Sequence, residues 1–135
     1  MRNTSHARRR RRGVSLVESS LVSVVMLLLL LGTTSVGLGV FRYQQLNWLA
    51  REGAQWAAVH GGTYQQENSA PAPTGADVLT KVVNPKLVAM AKGSVTCTLT
   101  MSESKATVTL SYMWTPEAFL SPMRLKSTAV VPIVY

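Results

Sequence analysis

The 135-residue chain has one cysteine, two histidines and six acidic residues. A lone cysteine, Cys97, cannot close a disulfide within the chain, so no disulfide framework supports the fold. It reads as a small buried apolar residue of a strand, or else as a link to another chain. His6 and His60 are far apart, and neither has a second ligand at metal-binding spacing, so no metal site and no cofactor is expected. The acids Glu18, Glu52, Glu67, Asp77, Glu103 and Glu117 form no carboxylate pair in an obvious pocket. There is no Gly-x-Ser-x-Gly and no nucleophile–His–acid grouping. Nor is there a phosphate-binding glycine loop, since Gly37-Leu38-Gly39 falls inside an apolar run. An enzyme is not expected, and neither is a small-molecule substrate.

Negative charge is scarce, and the net charge is +8, from 14 Lys and Arg against six acids. Six of those basic residues, Arg2 and Arg8, Arg9, Arg10, Arg11 and Arg12, lie among the first 13. Without them eight bases face six acids, a net charge of +2. The basicity is therefore a local, topogenic feature. No aromatic residue interleaves with the arginines, and nucleic-acid binding is not expected.

What the chain does have is a long apolar run. Residues 19–41 are 23 residues without a charge, including Met26 and five consecutive leucines from Leu27. At about 1.5 Å per residue, that helix is about 34 Å long, enough for a hydrocarbon core of roughly 30 Å. The arginines precede the run and a single Arg42 follows it. The positive-inside rule then places the N-terminus in the cytoplasm and the chain from about Arg42 outside the inner membrane. The run exceeds a signal-peptide core of about 7–15 residues, and its nearest small-x-small sites are Ser35-Val36-Gly37 and Gly37-Leu38-Gly39. Glu18, at the start of the run, costs up to about 3 kcal/mol at a helix centre and less near an end. Either it has a cationic partner or it sits in the headgroup layer.

Beyond the run, Leu46, Leu49, Ala50, Gly53, Ala54 and Ala57 recur at helical spacing, an apolar stripe rich in small residues. The spacing predicts one long helix over about 14–59, halted by Gly61-Gly62. Tyr43 and Trp48 suit interfacial anchors. The glycines 32, 37 and 39 fit either local bending or a small-residue dimer face. Residues 64–75 are rich in Pro, Ser and Gly and read as a linker or exposed loop. Thr74 or Asp77 can then cap a second helix over 77–91, with a kink or break before Pro85.

After Gly93 the period changes from 3.6 to 2. Val95, Cys97, Leu99 and Met101 alternate with serine and threonine, and so do Ala106, Val108, Leu110 and Tyr112. Ser102-Glu103-Ser104 turns between them, which predicts an antiparallel hairpin. Residues 114–125 read as a loop and 126–134 as a third strand, with Pro132 at an edge or strand end. The expected fold class is α+β: a long N-terminal helix that spans a membrane in its first half, a shorter second helix, and an antiparallel sheet of about three strands.

The junction Arg12-Gly13-Val14-Ser15-Leu16-Val17-Glu18 resembles the class III signal of type IV pilins and pseudopilins: a basic leader ending in glycine, then a glutamate that opens an apolar helix. With Gln44-Gln45-Leu46-Asn47, Ala50-Arg51-Glu52-Gly53-Ala54 and Ala57-Ala58-Val59, the chain resembles more narrowly the TadE-like minor pseudopilins of tight-adherence (Flp-type) pilus systems. Val108 to Tyr112 and Thr115-Pro116 fit as well. Ser19 stands where that family usually has an aromatic residue, and Val24 where it often has proline.

The resemblance implies a prepilin peptidase that cuts between Gly13 and Val14. Residues 1–13 are then a leader, 14–41 the membrane and assembly helix, 42–60 its continuation outside, 61–76 a linker, and 77–135 a small α+β domain. It also implies that the freed Val14 amine meets Glu18 of the same or a neighbouring subunit, and that other pilin or pseudopilin subunits are partners in a pilus or related secretion machine. The alternatives are an uncleaved, signal-anchored accessory or binding protein, and a secreted protein with a long signal peptide.

Overall fold

The computed structural model describes residues 5–88, 90–102, 104–116 and 121–133, with the backbone alone at 5–12 and 63. The chain forms two units, Met1–Gly37 and Leu38–Tyr135. One helix, α1 (Ser5–Val59), contributes to both.

In the first unit the helix begins before Gly13, earlier than the leader boundary drawn from the sequence. Arginine is a good helix former and no proline interrupts the segment, so nothing local stops the helix there. Its apolar side chains face outward, Val14 being 67% and Leu29 60% exposed. Ser20, Ser23, Thr33 and Thr34 within the run hydrogen-bond to the helix itself. Ser20 Oγ donates to the Val17 carbonyl at 2.8 Å, Ser23 Oγ to that of Ser19 at 2.8 Å, and Thr34 Oγ1 to that of Leu30 at 2.8 Å. A helix that pairs its backbone internally and takes hydroxyls such as these onto its own carbonyls suits a medium without water. It is long and apolar enough to cross a membrane.

The second unit is built on the C-terminal part of α1. The stripe read from the sequence is the buried one: Leu46, Leu49, Ala50, Ala54 and Ala57 are fully buried. Opposite them lie Ala106, Val108 and Leu110 of the sheet and Val78 and Val83 of the next helical segment. Gly53 shows why the stripe is made of small residues. A Cβ there would come within 2.8 Å of Val78 Cγ1 and 3.6 Å of Val108 Cγ1, so the glycine lets two elements approach one helix.

Helix α1 ends at Val59, and Gly62 follows with φ 52°, in the left-handed region glycine tolerates. A short helix, α2 (Thr63–Asn68), then occupies part of the segment read as a linker. Its six residues, Thr-Tyr-Gln-Gln-Glu-Asn, carry no apolar period, so no pattern marks it.

The predicted second helix is shorter than expected and changes type along its length. It consists of α3 (Gly75–Val78), a π-helical turn Leu79–Val83, and α4 (Asn84–Lys86). The Asn84 N–H bonds to the Leu79 carbonyl, five residues back. Pro85 supplies no N–H and its ring would press on the carbonyl one turn earlier, so the wider turn fits the proline without breaking the run. Leu87 is extended (ψ 120°), and the helix therefore stops before the predicted 91.

Three strands follow, β1 (Val95–Ser102), β2 (Lys105–Trp114) and β3 (Met123–Pro132), in an antiparallel sheet of order β1-β2-β3. Val95 pairs with Tyr112 and Ser102 with Lys105, while Lys105 pairs with Pro132 and Trp114 with Met123. The third strand starts three residues before the predicted Lys126 and ends at Pro132. Glu103 of the predicted turn, residues 117–120 of the predicted loop and Val134 lie outside the described residues. Along β2, Ala106, Val108 and Leu110 are buried while Thr107 and Thr109 are half-exposed, which is the period-2 alternation of a sheet with one solvated face.

Candidate functional site

Of the residues singled out in the sequence, Gly13, Val14 and Glu18 lie on α1 in the first unit. Gly13, Val14, Val17, Glu18, Leu21 and Val22 line one shallow hollow along a single helix face. Their spacing of one and four residues explains it, because positions four apart stack on the same side of a helix. Val14 and Glu18 are thus neighbours one turn apart. All six residues are exposed, and at Gly13 an added Cβ would meet nothing within 4 Å. The side chains of Arg8, Arg9, Arg10, Arg11 and Arg12 lie outside the described residues.

Chemically this face offers one carboxylate among branched and leucine side chains. It presents no nucleophile, and its apolar surface has the character of a packing face for another helix or for lipid. Among the described residues, no group of three or more His, Cys, Asp or Glu is arranged to hold a metal ion.

In the second unit the structure gathers residues that the sequence reading left scattered. The Trp56 and His60 rings stack with centroids 4.1 Å apart, and Tyr64 continues the ladder 4.8 Å from His60. His60 Nδ1 lies 2.8 Å from the Trp56 carbonyl, the spacing of a hydrogen bond donated by the ring N–H to a helix-terminal carbonyl. Lys81 Nζ sits 5.3 Å from the Trp56 ring centre and Lys86 Nζ 5.4 Å from that of Trp48. Lys86 also pairs with Glu52. These contacts hold the π turn and α4 against α1, and Gln45 Nε2 adds a bond to the Lys86 carbonyl at 3.3 Å. The i, i+4 spacing of Trp56 and His60 was the one available signal for the ladder.

Among the described residues, two titrating groups are perturbed. The Asp77 carboxyl is held below its ordinary value, mainly by the Thr74 hydroxyl, then by the Thr74 N–H, with burial opposing and Lys81 adding a little. Burial pushes the Cys97 thiol up to about 11. Cys97 lies half-buried in β1.

Among the described residues one helix is apolar enough to cross a membrane, and the second unit is a small α+β unit packed on the C-terminal part of α1. Residues 13–55 match the family model described as TadE-like protein. The TadE-like resemblance read from the sequence therefore holds over this segment, which runs from the glycine at the junction to the middle of the buried stripe. No curated protein matches the chain, and no solved structure does.

Proposed function

We propose that this chain is a minor pseudopilin, a structural or assembly subunit of a tight-adherence-type pilus or related secretion machine, processed after Gly13 by a prepilin peptidase. The observation that carries the reading is the extent of the TadE-like segment. It starts at Gly13, contains Glu18, and reaches through the apolar run to Gln55. The match supports a pilus-associated role in the membrane.

In this reading the arginines hold the N-terminus in the cytoplasm. Cleavage removes 13 residues and leaves a 122-residue chain whose first group is the Val14 amine. That amine and the Glu18 carboxylate are one helical turn apart, close enough to pair within a subunit. Two subunits side by side exchange the same pair between chains. Inside a bundle of apolar helices the carboxylate has no other cation, so the pair selects the register in which subunits pack. Before assembly the same helix keeps the subunit in the bilayer.

The test is the N-terminus and intact mass of the membrane-extracted chain, expressed with and without a prepilin peptidase. A peptidase-dependent start at Val14 is expected. A chain that begins at Met1 or Arg2 in both samples would replace this reading with that of an uncleaved, signal-anchored accessory protein.

A further inference from the structure

Strand β3 is an edge strand, and its open edge borders a groove. The Ile133 N–H donates to the Ser104 carbonyl at 2.9 Å, and those two residues continue the β2–β3 register. In an antiparallel ladder, hydrogen-bonded and non-bonded pairs alternate. Ser127, Ala129 and Val131 therefore spend their backbone groups on β2. Lys126, Thr128 and Val130 point theirs away from the sheet, toward the open edge. Pro132, the next position of that parity, has no N–H, so the free edge ends there.

Helix α1 forms the second wall. Asn47, Arg51 and Gln55, four residues apart, face Ser127 through Val131 across a space of about 440 Å³. Gln55 and Val131 also line a second space of about 340 Å³ with Ala58, Val59 and Pro132, so the two adjoin along the strand edge and together make the channel. Ser127 Oγ donates to Asn47 Oδ1 at 2.5 Å, which fixes the helix stripe beside the strand. The channel is polar at the Asn47 end and apolar at the Val59 end. Its lining has one charged side chain, Arg51, and no acid. Among the described residues the ion pair found is Lys86–Glu52, which does not involve Arg51.

We infer that this channel receives an extended segment of another protein, added as a fourth strand on the β3 edge, with an acidic side chain toward Arg51 and an apolar one toward Val59. Strand addition supplies main-chain bonds at Lys126, Thr128 and Val130, and alternate side chains of the guest fall under the helix stripe, where Arg51 and the apolar end set the preference. The occupant is an acidic, extended peptide on grounds of charge: Arg51 is the charged side chain of the lining, and the guest's other face meets the exposed, basic Arg124 and Lys126 of β3. The inference uses neither processing nor Glu18, and stands or falls separately from them.

The probes are two blocked β-forming peptides of about eight residues, identical but for Asp or Lys at one central position, added to the full chain in detergent micelles. With the Asp peptide, amide exchange at Lys126, Thr128 and Val130 is expected to slow at least about tenfold, and the Lys peptide is expected to bind about tenfold more weakly. Arg51→Glu should invert that preference. Thr128→Pro should abolish binding of both peptides while leaving the melting temperature nearly unchanged, because the lost N–H serves no bond to β2. Unchanged exchange at the three amides under saturating peptide overturns the inference, as does equal binding of the two peptides. Protection that grows with protein concentration and no peptide also overturns it, assigning the edge to a second copy of this chain.

Discussion

The Trp114 indole lies on the backbone of Gly39: a Cβ at position 39 would come within 2.5 Å of the ring. Trp114 is 5% exposed, and the Arg42 guanidinium sits 5.8 Å from its ring centre. The last residue of β2 and the first turn of α1 in the second unit thus pack as a pair that only glycine permits. Gly39→Ala forces this buried indole to move, at a cost of about 1–3 kcal/mol, against which better helix propensity returns up to about 1 kcal/mol. The expected result is a lower melting temperature for Gly39→Ala and a larger drop for Gly39→Val. Gly37→Ala is the control, since its Cβ would meet nothing within 4 Å, and it should hold or raise stability. Equal behaviour of the two alanine variants would remove the packing argument.

How much of this was legible beforehand depended on periodicity. The stripe from Leu46 to Ala57 declared its buried face because 3.6-residue spacing is a property of the sequence alone. Thr74 and Asp77 each suit a cap by sequence, and they act together: Asp77 N–H donates to Thr74 Oγ1 at 3.3 Å and Thr74 N–H to Asp77 Oδ2 at 3.0 Å. The π turn before Pro85 was not legible, since an i+5 bond leaves no mark on an apolar pattern already broken by proline. Nor was the channel beside β3, because a strand becomes an edge only through the pairing order of the whole sheet. The junction at Gly13 and Glu18 was legible as a motif, and its helical placement adds only that the residues share one face.

That placement makes Gly13→Ala informative. The added methyl has open space around it, so the substitution leaves folding intact and tests recognition by the peptidase. Alanine also favours the helix by up to about 1 kcal/mol, which opposes any unwinding the peptidase needs. Under the proposed processing, cleavage of Gly13→Ala should fall at least about tenfold in a pulse-chase of leader removal. Glu18→Gln should still insert and still be cut, yet be missing from sheared filaments. If Glu18→Gln enters filaments normally, the pairing with Val14 has no role in assembly.

The Thr74–Asp77 box carries a pH dependence whose sign can be worked out. The Asp77 pKa is depressed in the folded chain, so its contribution to stability is complete above the ordinary carboxylate value. It is lost as pH falls through the lower folded value. Acid melting of the wild type should therefore show an added loss beginning below about pH 4. Asp77→Asn should be less stable near neutrality and lack that part of the acid limb. Thr74→Ala removes the cap hydroxyl and should cost about 1 kcal/mol. An Asp77→Asn profile parallel to wild type at every pH would show that the box does not couple to folding.

Cys97 permits the most direct chemical check of the sheet. Its position alternates with Thr96 and Thr98, placing the thiol on the side of β1 that faces the core, and burial pushes its pKa up to about 11. At pH 8 about one thiol in a thousand is then ionised, against about one in ten for a thiol near 9. Alkylation by iodoacetamide in the folded chain should be about 100-fold slower than in the unfolded chain. Its rate should keep rising about tenfold per pH unit toward pH 11. Between the two roles the sequence left open for this residue, slow alkylation selects the strand residue. A thiol that is neutral and partly covered attacks a partner's disulfide poorly. Fast alkylation at pH 8 would instead mean that β1 exposes this face, and the register Cys97–Leu110 would have to be redrawn.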